Sequence, residues 1–170
     1  MIVRPGTMLF LDAGILSLLA HSRGGDKART ARAWASDLIR GGVRVFIAEI
    51  SDYEVRRGLI RVGATAGLRG LDGLRAALDF APITTPAMFL AAQLWAESRN
   101  RRQATCDPNR IDADVILAAQ ALTAAGADRP VAVASPNARH LAQFLEVSDW
   151  TEIQISRPNL SLVPVPLPSA

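Results

Sequence analysis

The chain has 170 residues, 49% of them hydrophobic and 21% charged, with 19 basic against 16 acidic side chains and a formal charge of +3. That length and composition suit one compact domain and exclude a disordered or fibrous chain. Every basic residue except Lys27 is an arginine, which disfavours reactions that need a lysine base, a Schiff base or a phosphate-clamping lysine. Residues 8–11 form an apolar run ending at Asp12 and read as a buried strand, and residues 13–21 carry helix-like leucine spacing. Asp12, inside the most apolar N-terminal stretch, argues against a signal-peptide core and against a membrane span, which takes about 20 uncharged apolar residues.

After the break at Gly24 and Gly25, residues 26–39 read as a helix with Ala31, Trp34, Ala35 and Leu38 on one face, closed by Gly41 and Gly42. Residues 43–47 are continuously apolar and β-rich, so a second buried strand is expected there. Residues 49–62 read as helix, residues 67–78 as a glycine-punctuated helix or helical hairpin, and residues 80–84 as a short strand. Pro86 suits the first turn of the next helix. Residues 100–110 are polar, rich in arginine and broken by Pro108, so an exposed, substrate-facing loop is expected. The loop holds Cys106, the sole cysteine; this excludes an internal disulfide and suits a reducing cytoplasm.

Residues 112–125 read as an alanine-rich helix ended by Gly126, and residues 131–134 as a strand. Ser135, Pro136 and Asn137 then form a turn before a helix through Leu145. Pro164, Pro166 and Pro168 mark residues 158–170 as a loose tail with at most one edge strand. Alternating apolar strands and helices predict an α/β fold, a parallel doubly wound sheet of about four to five strands flanked by helices. One domain spanning residues 1–170 is expected, with its core over about residues 8–157. Such sheets place their sites beyond the carboxyl ends of the strands.

Several polar residues fall on that rim. Asp12 ends the first strand, and the same position suits a plain helix N-cap. In the pair Asp112 and Asp114, two residues apart and therefore pointing different ways, Asp112 is assigned to the helix cap and Asp114 to the site. Glu54 closes the capping-box spacing that begins at Ser51, and it also lies where a helix after the second strand faces Asp12 and Asp114. Carboxylates brought together from three segments repel unless a hard divalent cation, Mg²⁺ or Mn²⁺, neutralises them, and such an ion suits phosphodiester hydrolysis. Ser135 offers a hydroxyl to hold water and Asn137 an amide to ligate or orient, although Ser-Pro-Asn is also ordinary turn chemistry. His140 reads as a surface or packing histidine.

Four segments in order, residues 9–13, 54–59, 114–121 and 133–141, resemble the signature blocks of the PIN domain, in particular the VapC-like toxin nucleases of toxin-antitoxin pairs. The resemblance covers residues 8 to 145, nearly the whole domain. It implies a Mg²⁺- or Mn²⁺-dependent ribonuclease acting on RNA in the cytoplasm, with Asp12, Glu54 and Asp114 matching the acidic metal centre. Ser135 matches the hydroxyl position, and Asn137 stands where many members carry a fourth acid. Gly14 stands where the family often has serine or asparagine, which with the neutral Asn137 favours one ion over two. The resemblance also implies a small antitoxin partner and a homodimer.

Arginines near these blocks, Arg56, Arg57 and Arg102 first among them, are candidates for phosphate contacts, while a solvated helix face explains any one of them. With aromatics at 5%, composition points to recognition by shape or by a dimer groove rather than by base stacking. Two other functions compete with the ribonuclease. One is a PIN module that binds RNA or a protein without cutting, for which Gly14 and Asn137 speak. The other is a domain phosphorylated on Asp12, which the lack of a clamping lysine disfavours.

Overall fold

The computed structural model of the protein describes residues 1–21, 25–100, 111–136 and 138–156. In chain order its elements are β1 (Ile2–Val3), β2 (Met8–Leu11), α1 (Ala13–Ala20), α2 (Gly25–Arg40), β3 (Arg44–Ala48), α3 (Glu49–Arg61), α4 (Thr65–Ala77), β4 (Asp79–Ala81), α5 (Thr85–Asn100), α6 (Ile111–Ala125), β5 (Val131–Ala134), α7 (Ala138–Leu141), β6 (Glu146–Ser148) and β7 (Gln154–Ile155). A five-stranded sheet runs in the order β4-β3-β2-β5-β6, and every pairing in it is parallel. Beside it, β1 pairs in parallel with β7, so residues 2–3 are tied to residues 154–155.

Because successive side chains of a strand point to opposite faces, β2 feeds two cores at once. Leu9 and Leu11 pack with Val45, Ile47, Ala132 and Ala134 against α1, α2 and α3. Met8 and Phe10 face the other way, into a layer with Phe46, Val133, Leu117 and Ala118 of α6. Phe10 and Phe46 stack there with ring centroids 4.9 Å apart. Burial of side chains of this size contributes about 1.5–3 kcal/mol each, enough to hold the central strands in one register. Among the described residues, no helix is long and apolar enough to cross a membrane.

The expected parallel sheet between helical layers is present, with particular departures. The capping box at Ser51 is not used: α3 begins directly after β3 at Glu49, its N-cap is Ala48, and Ser51 and Asp52 are buried inside its first turns. With no loop between β3 and α3, the strand end itself sets where the helix starts. The segment after Leu78 forms β4 at residues 79–81 rather than at 80–84, because Asp79 pairs with Phe46 in the sheet register and is held by Arg44. The helix after β5 covers residues 138–141 only, since the chain turns over residues 142–145 to deliver β6 to the sheet edge. Gly126 closes α6 in the left-handed conformation at φ 66°, as its position predicts. Most of the expected loop, residues 101–110, and the proline-rich tail lie outside the described residues.

Candidate active site

Parallel pairing places the carboxyl ends of β2, β3 and β5 along one edge of the sheet. Leu11 lies opposite Ala134 in the register, so the next residues, Asp12 and Ser135, emerge side by side. The Asp12 N–H donates to the Ala134 carbonyl at 3.0 Å, which fixes that junction. Asp12 is the N-cap of α1: its Oδ1 accepts the Ala13 N–H at 2.6 Å. Its second oxygen, Oδ2, accepts a 2.6 Å hydrogen bond from the buried Ser135 hydroxyl. The cap and the site are therefore the same side chain, with each oxygen anchored by a different element.

Glu54 projects from α3 toward this carboxylate with 28% of its side chain exposed. Its pKa is pushed up, first by burial and then by the negative charge of Asp12, with a further contribution from Asp114; Arg57 opposes the shift. The Arg57 guanidinium lies 3.5 Å from Glu54 Oε1. Asp114, in the first turn of α6, is likewise pushed up by burial and by Asp12. Here His140 opposes the shift, with Nδ1 3.2 Å from Asp114 Oδ2. The structure thus brings Asp12, Glu54 and Asp114 within electrostatic reach of one another, with Ser135, Arg57 and His140 as their partners.

His140 is the site residue that sequence reasoning missed. Nothing in the separation of residues 114 and 140 signals the contact, which exists because α7 follows β5 on the same rim that receives the start of α6. Asp112 is exposed in the first turn of α6 and is not its N-cap. Arg56 is committed elsewhere: it forms two hydrogen bonds with Asp52, at 2.8 and 3.0 Å, and one with Asp72 at 2.8 Å. Arg57 is the member of that pair that faces the acidic rim. Asn137 and Arg102 lie outside the described residues. Gly14 has a steric explanation, since a Cβ at that position would come within 3.2 Å of the Pro136 ring.

The donor set suits a hard divalent cation: it is all carboxylate oxygen, drawn from three segments, and two of its members are destabilised as anions by burial and then by the charge of Asp12. Among the described residues, no three acidic or imidazole groups stand together as a ready-made ligand cage. The residues fit the ion in chemistry, and closing a shell around it takes further oxygen donors from water or substrate, as hard cations of this kind accept.

No protein-family profile matches the sequence, and no curated protein matches it. Solved structures do. VapBC2 from Rickettsia felis, bound to a DNA fragment from its promoter, superposes with a TM-score of 0.62 at 13% identity, over 84% of this chain and 98% of that one. VapBC-1 from nontypeable Haemophilus influenzae gives 0.60 at 14% identity, over 85% and 99% of the two chains. DNA-bound VapBC from Salmonella typhimurium gives 0.62 at 17% identity, over 85% and 98%. With the parallel order of its sheet and its helices on both faces, the chain has the fold of a VapC-like PIN domain.

Proposed function

We propose that the protein is a Mg²⁺- or Mn²⁺-dependent endoribonuclease, the toxin of a toxin-antitoxin pair. The observation that carries this reading is that Asp12, Glu54 and Asp114 gather on the carboxyl rim of the sheet, where burial first and the charge of Asp12 second push Glu54 and Asp114 up in pKa. These three carboxylates would hold the ion, and Asn137 is assigned to orient water beside them. When bound, the ion supplies charge neutralisation for the phosphodiester and for the departing oxygen. Asp12 is held for that task by the Ala13 N–H and the Ser135 hydroxyl, which fix both its oxygens. Arg57 presents an exposed guanidinium to a backbone phosphate. In hydrolysis a water oxygen bonds to phosphorus as one of its O–H bonds breaks, the bond to the leaving ribose oxygen breaks, and the proton released from the water is balanced by the one that oxygen takes up through solvent.

The solved complexes of the same fold support an antitoxin as partner. A homodimer is part of the proposal as well, and exposed Met88, Phe89 and Trp95 on α5 supply apolar surface for it. The test is cleavage of a mixed RNA pool by the purified protein, free of antitoxin, with Mg²⁺, with Mn²⁺ and with EDTA, beside Asp114→Asn. Cutting that needs the ion and vanishes in the variant sustains the reading. A folded protein that binds RNA without cutting it under any ion favours a non-cleaving module, the reading for which Gly14 and the neutral Asn137 speak.

A further inference from the structure

On the face of the sheet that packs against α6, two strands are approached through arginines. Arg44 opens β3 with Phe46 next on the same face, and Arg129 stands two residues before Val131 of β5. Both line a groove of about 290 Å³, closed by Met8 of β2, by Thr84 and Ala87 where α5 starts and by Ala124 where α6 ends. The groove lies at the amino edge of the strands, whereas Asp12 follows the carboxyl end of β2, roughly 13 Å further along. Its floor is apolar, since Met8, Phe46, Ala81 and Ala87 are buried side chains of the core.

The polar groups around that floor are unevenly engaged. The buried Gln120 amide is tied to the backbone at both ends: Oε1 accepts the Ile50 N–H at 3.2 Å, and Nε2 donates to the Ala81 carbonyl at 2.8 Å. Asp79 takes Nε and Nη2 of Arg44, each at 3.0 Å, and the guanidinium carbon sits 4.9 Å from the centre of the Phe46 ring. The Arg129 side chain has no hydrogen-bond or ion-pair partner among the described residues. No acidic residue lines the groove. With Arg44 balanced by Asp79, one positive charge is left unmatched over an apolar bed.

We propose that this groove is a binding site for a small amphipathic carboxylate, its apolar body lying over Met8, Ala81 and Ala124 and its charged end on Arg129 and the free edge of Arg44. Guanidinium groups only donate, and Arg44 keeps N–H groups beyond the two that Asp79 engages, so an anionic acceptor is what the rim can hold. The volume is at the small end of ligand sites, which suits a compact body. A single carboxylate matches the one unmatched charge, whereas a phosphate dianion brings a second that nothing in the groove balances. The site stands apart from the acidic rim and does not depend on the ribonuclease reading.

The test is titration of the full chain, without metal, with hexanoate, acetate, hexanol and hexyl phosphate, followed by backbone amide shifts in heteronuclear NMR. Hexanoate is expected to bind one to one, to shift the amides of Thr84, Thr123 and Ala124, and to bind at least about 10-fold more tightly than acetate, which lacks the body, or hexanol, which lacks the charge. Arg129→Gln should weaken hexanoate about 10-fold. Arg40→Gln, which removes an exposed arginine paired with Asp37 outside the groove, should leave the affinity unchanged. Ala124→Trp fills the groove from an exposed position on α6 and should abolish binding. Circular dichroism melting should show these surface variants as folded as their parent, and Arg129→Gln carries the test alone if the tryptophan unfolds the chain. Acetate or hexanol binding as tightly as hexanoate, a preference for hexyl phosphate, shifts confined to the acidic rim, or no binding at all overturns the proposal. So does a hexanoate affinity that Arg129→Gln leaves unmoved.

Discussion

The Ser135 hydroxyl donates a 2.6 Å hydrogen bond to Oδ2 of Asp12, across the junction of two neighbouring strands. Oδ1 of the same carboxylate takes the Ala13 N–H, so both of its oxygens are oriented before any ligand arrives. Ser135 is held in turn by its own N–H, which donates to the Ser148 carbonyl at 3.0 Å. Ser135→Ala should therefore loosen Asp12 more than it loosens the fold. We expect a stability loss of about 1 kcal/mol, seen as about 2–4 °C in Tm, and an affinity for Mn²⁺ about 10-fold weaker by isothermal titration. An unchanged Mn²⁺ affinity would reduce the hydroxyl to a structural bond.

Asp12→Asn separates the two tasks of that side chain. Asparagine caps a helix as well as aspartate does, and its amide can face the Ser135 oxygen, which accepts as readily as it donates. Stability should stay within about 0.5 kcal/mol of the parent by urea denaturation. Mn²⁺ binding, which needs the charge, should be lost. Retained binding would leave Asp12 as a cap alone.

How much of this was legible beforehand varies from element to element. The central strands β2, β3 and β5 stand out because strands buried on both faces are continuously apolar, and Asp12, Glu54 and Asp114 follow once their ends share a rim. Strand β6 was not legible, since Glu146, Val147 and Ser148 form a three-residue edge with no apolar run. The Ser51 capping box was a false signal, because the start of α3 is dictated by the strand before it and not by local propensity. His140 escaped because its partner is fixed by topology. Arg56 and Arg57 look alike in sequence and differ only in which carboxylates the helix turns toward them.

Glu54→Gln should stabilise the protein in the absence of metal. The Glu54 pKa is raised in the folded state by burial and by Asp12, with Arg57 opposing and Asp114 adding. A carboxyl whose folded pKa lies above its unfolded value contributes its full stability below the unfolded pKa and loses it as pH rises through the folded one. At neutral pH the ionised Glu54 is thus a net cost, which glutamine removes. A higher Tm than the parent's is expected at pH 7, the difference vanishing below about pH 4. Saturating Mn²⁺ should reverse the order, because ligand binding stabilises only the protein that binds it. A variant less stable than its parent at pH 7 would sink this account of the site.

Gly14 and Pro136 should be coupled. A Cβ at residue 14 lies 3.2 Å from Cγ of Pro136, so Gly14→Ala trades a helix-propensity gain of up to about 1 kcal/mol against a displaced ring. In the parent protein the two should nearly cancel. In a Pro136→Ala background the gain should be realised, giving a double-mutant coupling of at least about 0.5 kcal/mol by denaturant titration. Strict additivity would mean that the ring moves aside freely and that the glycine has another cause.

The two adjacent arginines should part company. Arg56 holds Asp52, whose side chain is only 8% exposed, through two hydrogen bonds, and reaches Asp72 with a third. Arg56→Gln leaves that nearly buried carboxylate without its cation, so a loss of about 2–3 kcal/mol is expected, or about 5–10 °C in Tm. Arg57 is exposed, and its contact with Glu54 is a 3.5 Å surface pair, so Arg57→Gln should cost no more than about 0.5 kcal/mol. For RNA the order should invert. Arg57→Gln removes a phosphate partner beside the acidic rim and should weaken binding while flattening its dependence on salt by about one unit of slope. Arg56→Gln, measured below its melting transition, should keep the parent's salt slope. Two arginines that moved stability and RNA binding together would show that neither their burial nor their partners divides them by role.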